Sequence, residues 1–387
     1  MISQKVLAFI ASSIVCSILL IFGCARPAKE VSKTGVKGKE TAKIKVEEPV
    51  KPEVKPQETI KTEVKPKVTI KTEVKSEEAI KPQVPPEKEG PTVQLALKFA
   101  PEDLTTYRVV TEMEKSIKWE GPLPDKPFAF KGGATGNRVE VTFAQRIQKV
   151  DDKGNAVAQI TIKGLKYVGK VKDNIVMDFD NSREKDANSP LFKLVGQSYT
   201  IELSPAGQVI KVVDVNQAQT SVGRGLPANK TALALISPEV IEERHTIPGL
   251  PAADKNKLRA GDSWSSVKTF SFDMMGAKSY EKTYTLKEIK QVDNHQIAAA
   301  EMKAIPSTAM AEELHKEQAA GLFSKMFDTT EAYEGKLMLD LTGGKIQEYF
   351  EKLRTEWVMV DPKPEPNKEP AALRMAATRL YSIEKID

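Results

Sequence analysis

From Ala25 to Thr92 the chain contains no Phe, Tyr or Trp, and Pro49, Pro52, Pro56, Pro66, Pro82, Pro85, Pro86 and Pro91 interrupt any stretch long enough for a helix. Lys, Glu, Val, Thr and Pro recur in near-repeats ten residues apart, Ile60-Lys-Thr-Glu-Val-Lys65 and Ile70-Lys-Thr-Glu-Val-Lys75. Such a segment cannot bury enough apolar surface to offset the entropy of ordering it. A packed core is therefore expected only beyond it, and residues 24–92 read as a disordered spacer. Its reach is about 200 Å as polyproline II and about 45 Å as a flexible coil.

Upstream, Lys5 is the single basic residue before a largely apolar run from Val6 to Phe22 that ends at Gly23-Cys24. A charged start, an apolar stretch and a small residue at the junction describe a signal peptide over residues 1–23. Ile21-Phe22-Gly23-Cys24 resembles the bacterial lipobox: an aliphatic residue at minus three, a small one at minus one, Cys at plus one. The resemblance implies cleavage before Cys24 and lipid attachment at Cys24, with palmitate among the acyl chains. Two or more chains anchor stably where one gives marginal binding. An uncleaved span is the alternative reading of the run. The expected location is the cell membrane, with the domain facing the periplasm or the exterior. By resemblance to the enterobacterial sorting rule, Ala25 favours the outer membrane in a two-membrane cell.

The spacer holds 16 Lys and Arg against 12 Asp and Glu, and residues 93–387 hold 41 of each sign. Positive excess is thus a property of the spacer. It allows weak, salt-screened attraction to envelope polymers or anionic lipid, although interspersed signs mainly keep a spacer soluble. A neutral folded part gives no reason to expect nucleic acid. Two cysteines and three widely separated histidines leave no structural zinc site and no disulfide framework. No cofactor, metal or catalytic residue is expected, and an enzyme is disfavoured.

After Pro91 the apolar residues alternate with period two between Gly, Asp and Asn, which reads as antiparallel β-structure. Val139-Glu-Val-Thr-Phe143 and Ile147–Val150 return through Ala156–Ile162 about Asp151–Asn155, and Tyr199–Leu203 returns through Gln208–Val213 about Ser204-Pro-Ala-Gly207. Both units are echoed in order at Ile289–Met302 and Leu339–Ile346. The expected fold is mainly β (α+β): duplicated antiparallel meander units forming a curved sheet or two packed halves, 93–249 and 250–387, with one or two covering helices. Helix candidates are Gln217–Leu235 continuing into Ser237–Arg244, capped by Ser237 with Pro238 at its first turn, and Thr308–Phe327. Strand pairing is expected again about Thr342-Gly-Gly344, with a last strand over Leu373–Ile386.

Several local constellations carry residue types that could support chemistry. Gly132-Gly-Ala-Thr-Gly136 lacks the Lys and Ser or Thr of a phosphate loop and reads as a loop. Asp178, Asp180, Glu184 and Asp186 form an acidic run without the spacing of a calcium loop. His245, His295 and His315 are expected at the surface. Ile247-Pro-Gly249 followed by Gly261-Asp-Ser-Trp264 is the sharpest signature. It places Trp264 at the start of a central strand, in the core with Val267 and Phe272 or their neighbours, and makes Trp119 and Trp357 less important. This corner, the Leu203-Ser-Pro-Ala-Gly-Gln-Val209 hairpin and the lipobox resemble a family of uncharacterised bacterial lipoproteins, a domain of unknown function. The resemblance implies a β-rich envelope domain and no known activity. Two functions follow: a non-enzymatic binding or scaffolding domain on a long spacer, or a carrier of lipid or another apolar ligand in a cavity between sheet and helix.

Overall fold

The computed structural model describes residues 91–121, 132–223, 225, 227–272, 275–307, 326–361 and 370–386. The expected signal peptide, Cys24, the rest of the spacer up to residue 90, and His315 lie outside them. So does the second expected helix, apart from Met326 and Phe327, which form a turn and bend ahead of the next strand.

Long alternating stretches make long strands. β2 (Leu104–Glu120), β3 (Gly133–Val150), β4 (Ala156–Val171), β5 (Asn174–Asp180), β6 (Ser198–Leu203) and β7 (Val209–Asp214) precede three short helices. Those helices are α1 (Asn216–Val222), α2 (Pro227–Leu235) and α3 (Pro238–His245), and β9 (Ser263–Ser271), β10 (Ala277–Val292), β11 (His295–Ser307), β12 (Asp328–Asp340), β13 (Lys345–Val360) and β14 (Ala372–Lys385) follow. One antiparallel sheet of twelve strands runs in the order β7-β6-β4-β3-β2-β14-β13-β12-β11-β10-β9, with β5 beside β4. Its seam pairs β2 with β14 from Tyr107↔Lys385 to Glu120↔Ala372. Both echoed segments fall on hairpins, β3–β4 with β10–β11 and β6–β7 with β12–β13.

The region expected as helix over Gln217–Leu235 and on into Ser237–Arg244 forms three helices. Gly223 turns at φ +76 and ends the first, and Ser237 caps the last as expected, its hydroxyl accepting from the Val240 amide. The last helix lies on the sheet, its final residue His245 against Phe143 of β3 with ring centroids 4.6 Å apart. Tyr381 of β14 donates its hydroxyl to the Arg244 carbonyl at 2.8 Å.

The glycines at 133 and 136 belong to β3 rather than to a free loop; Gly136 sits opposite Glu114 so closely that a β-carbon would strike the Met113 backbone. The first described stretch runs across one end of the molecule as a strap. Residues of β1 (Val93–Gln94) pair with β8 (Lys257–Leu258), Leu97 N–H donates to the Pro205 carbonyl and Lys98 N–H to the Gly344 carbonyl, at 2.8 and 3.0 Å. Leu97 and Phe99 of this strap close over a cavity of about 20 Å³ lined also by Phe143, His245, Ile247 and Ile383, space for about one water.

Candidate functional site

Alternation on β9 to β14 turns one set of residues inward, and contacts between non-neighbouring strands show that this part of the sheet curls on itself. Lys268 of β9 reaches Glu351 of β13 at 2.6 Å across three intervening strands. Arg379 of β14 donates to the Ser271 carbonyl of β9 at 3.3 Å. Inside the curl, Phe270, Phe272, Tyr280, Tyr333 and Trp357 form a chain of edge-on and tilted rings with centroids 5.2–6.3 Å apart.

Polar groups are set into this aromatic lining. Glu351 accepts from the Lys268 ammonium with one oxygen. With the other it accepts from Tyr349 at 2.7 Å, Tyr333 at 2.9 Å and Lys282 at 3.2 Å. Because the single Tyr349 proton goes to Glu351, the Tyr284 hydroxyl, 2.9 Å away, points its proton at the Tyr349 oxygen. Burial alone would push the Glu351 carboxyl up; the two ammoniums and the hydrogen bonds from Lys268 and Tyr349 outweigh it and hold the group at about 2. Burial pushes the Lys282 ammonium down, and Glu351 offsets this only in part. Burial and the Glu351 charge push Tyr333 and Tyr349 up, so both stay protonated donors.

Further along the same wall, Lys278 pairs with Glu331 and lies 5.5 Å from the centre of the Trp357 ring. Glu331 Oε2 and Trp357 Nε1 there, and Ser266 Oγ opposite Lys282, are buried without a hydrogen-bond partner among the described residues. The inward positions of β9–β14 thus carry Lys268, Lys278, Lys282 and Arg379 together with the carboxylates of Glu331 and Glu351. The Pro248-Gly249 corner stops one end of the curl: Trp264 Nε1 donates to the Gly249 carbonyl at 3.1 Å, and the Tyr284 hydroxyl oxygen lies 3.4 Å from the Pro248 carbonyl. A β-carbon at Gly249 would collide with the Tyr349 ring, which accounts for glycine at this corner.

Residues singled out in the sequence are dispersed. Trp264 stacks on Tyr284, but β9 ends the strand order, Trp264 is only half-buried, and Val267 points to the opposite, exposed face. The fully buried indole is Trp357, 2% exposed, packed on Phe272. His245 is buried rather than superficial: Arg244 can only donate, so it points at the Tyr199 oxygen and leaves the Tyr199 proton for His245 Nε2, 2.7 Å away. His295 does sit at a hairpin end, 2.8 Å from Asp340. The acidic run is occupied by its own Arg183, which binds Asp178 and Asp186.

The Glu351 cluster escaped the sequence reading. Its signal was a charge in the buried phase of an alternating strand: Lys282 between Tyr280 and Tyr284, Glu351 between Tyr349 and Leu353.

No family model and no curated protein matches the chain. Among solved structures it is similar to one concerning lipid-protein interactions in lipovitellin, with a TM-score of 0.37 and 13% identity over 75% of this chain and 26% of that one. It is also similar to DynF from the dynemicin biosynthesis pathway of Micromonospora chersina, with a TM-score of 0.17 and 7% identity over 77% and 87%. The chain spans about a quarter of the lipovitellin chain. Among the described residues no helix is long and apolar enough to cross a membrane.

Proposed function

We propose that this chain is a lipid-anchored protein of the bacterial cell envelope whose folded domain carries an amphiphilic ligand inside the curl of β9–β14, acting by binding rather than catalysis. One observation carries the reading: the polar groups on an otherwise aromatic inner wall are not balanced among themselves. Three ammoniums, those of Lys268, Lys278 and Lys282, share two carboxylates, and three buried polar atoms lack partners among the described residues. Unsatisfied buried polar groups cost about 1–3 kcal/mol each, and a buried ion network is a poor way to stabilise a core that apolar residues would fill as well. Such groups are retained where a ligand completes them, and concave sheet interiors are common ligand sites.

Membrane attachment rests on the lipobox resemblance at Cys24, and the spacer sets the domain away from that membrane. Fatty-acid labelling tests it: Cys24→Ala should lose both label and membrane association, and unchanged labelling rejects the anchor. Native mass spectrometry of the full chain tests the carrier, with a copurifying amphiphile expected. A scaffolding domain that works through its outer surface is the second reading, favoured by the small volume of the cavity beneath the strap. A chain that copurifies with no amphiphile and takes up none when offered would establish that reading instead.

A further inference from the structure

The hydrogen bonds that hold the strap run to parts of the chain distant from it in sequence. Thr92 Oγ1 accepts from Arg259 at 3.1 Å, and Leu95 N–H donates to the Asn256 carbonyl at 2.8 Å. Leu97 N–H donates to Pro205 on the β6–β7 turn, and Lys98 binds the Gly344 and Leu341 carbonyls on the β12–β13 turn. Leu95 is wholly buried, with Leu97 and Phe99 packed against the core. None of these contacts requires the strap and its seat to belong to one molecule.

An exposed turn, Ala100-Pro101-Glu102-Asp103, joins the strap to β2 and is closed by the Asp103 N–H on the Ala100 carbonyl at 3.1 Å. Proline suits its second position, but the third, Glu102, stands at φ +69, where glycine is the usual occupant and a β-carbon is strained. Pro101 keeps its own φ near about −65° in any conformation and biases Ala100 toward extended backbone, so opening the turn falls to Glu102. Past the turn, the Ile147 N–H donates to the Asp103 carbonyl at 2.9 Å, so β3 holds the chain from there onward. Rotation of Glu102 into the ordinary extended region relieves the strain and swings the strap outward as a unit.

We propose that two copies of this chain exchange straps, each laying residues 93–99 into the seat of the other, to form a twofold dimer. The exchange goes beyond the carrier reading and does not depend on it. Each strap contact is remade with the same groups on the partner copy, so two relaxed turns are set against the entropy of association and concentration decides the balance. Because Leu97 and Phe99 line the cavity beside Phe143 and His245, each copy's cavity is then closed by its partner.

The pairing of β1 with β8 supplies the test. Gln94 and Lys257 are exposed and directly opposed, next to the hydrogen-bonded Leu95 and Asn256. Theirs is thus the close, non-hydrogen-bonded kind of pair, about 4.5 Å between α-carbons and within reach of a disulfide. Full chains carrying Gln94→Cys are mixed with full chains carrying Lys257→Cys, incubated at high concentration and oxidised in air. A disulfide between positions 94 and 257, mapped by mass spectrometry of the linked peptides, can arise here only between copies and is distinct from any link through Cys16 or Cys24. It should appear and increase with concentration, whereas a dilute chain bearing both substitutions should close on itself. Light scattering of the unaltered chain should pass from monomer to dimer as concentration rises. Glu102→Gly removes the strain from both turns and should weaken the dimer at least tenfold. Glu102→Ala loses only an exposed ion pair with Arg146 and should change it less than about threefold. An unaltered chain that stays monomeric at every concentration overturns the exchange, as does a dimer whose mixed copies form no link between positions 94 and 257.

Discussion

At the scale of single residues, His245 makes the sharpest prediction about pH. Its imidazole is wholly enclosed by Phe143, Tyr199 and Arg244, and burial, with Arg244 adding to it, pushes its protonation well below the ordinary value of 6.5. The unfolded chain therefore takes up a proton near 6.5 while the folded one does not, so stability falls as pH drops through that value, by up to about 1.4 kcal/mol per pH unit. Chemical denaturation at pH 7.5, 6.5 and 5.5 should show this slope, and His245→Gln should flatten it. Glu351 acts at lower pH with the same sign. Held at about 2, its carboxylate contributes stability that is complete above the unfolded value near 4.5 and is lost as pH falls toward 2. Glu351→Gln leaves Lys268 and Lys282 without their shared counter-charge and should cost about 3–5 kcal/mol at neutral pH. A loss under 1 kcal/mol in denaturant titration would show that the two ammoniums do not depend on it.

Among elements, β9 and β13 exchange the roles that local motif reading assigned to them. Trp357 on β13 has neighbouring strands on both sides and an indole packed against Phe272, so Trp357→Ala should cost about 3–5 kcal/mol. Trp264 on the terminal strand, half-buried and stacked on one tyrosine, should cost roughly half as much or less. Paired melts of the two variants check the order. What made strands and turns legible was local chemistry: Asp151 accepting from the amides of Lys153 and Asn155, Gly207 at φ +72, and Ser237 capping its helix. What stayed hidden was long-range. A strand's place in the sheet depends on its partners, and nothing within Gly261–Trp264 tells an edge from a centre. The Glu351 cluster draws on β9, β10, β12 and β13, whose residues approach only once the sheet has curled. The alternation around Lys282 and Glu351 gave the burial of those charges, but the identity of their partners lay 69 residues apart in the chain.

For the whole molecule, the strap gives a test of how its far end is held. Gly344 accepts from the Lys98 amide while at φ +63, and a β-carbon there would strike the Lys98 backbone. Gly344→Ala carries a backbone cost of about 1–2 kcal/mol and should lift the strap. Trypsin should then cut after Lys98 much faster than in the unaltered chain, with the remaining core intact; equal rates would show that the strap is held elsewhere. The seam has a different consequence. β2, the first long strand, has as its neighbour β14, the last, so the middle of the sheet is closed by residues more than 250 positions apart. A chain emerging from its N-terminus can assemble hairpins early, but it cannot join β2 to anything beyond β3 until residue 385 is free. Such high contact order slows folding toward the millisecond-to-second range or beyond. It also keeps the aromatic interior of the curl and one edge of β2 open to solvent through most of that time, which is when a nascent chain of this design is most in need of a chaperone.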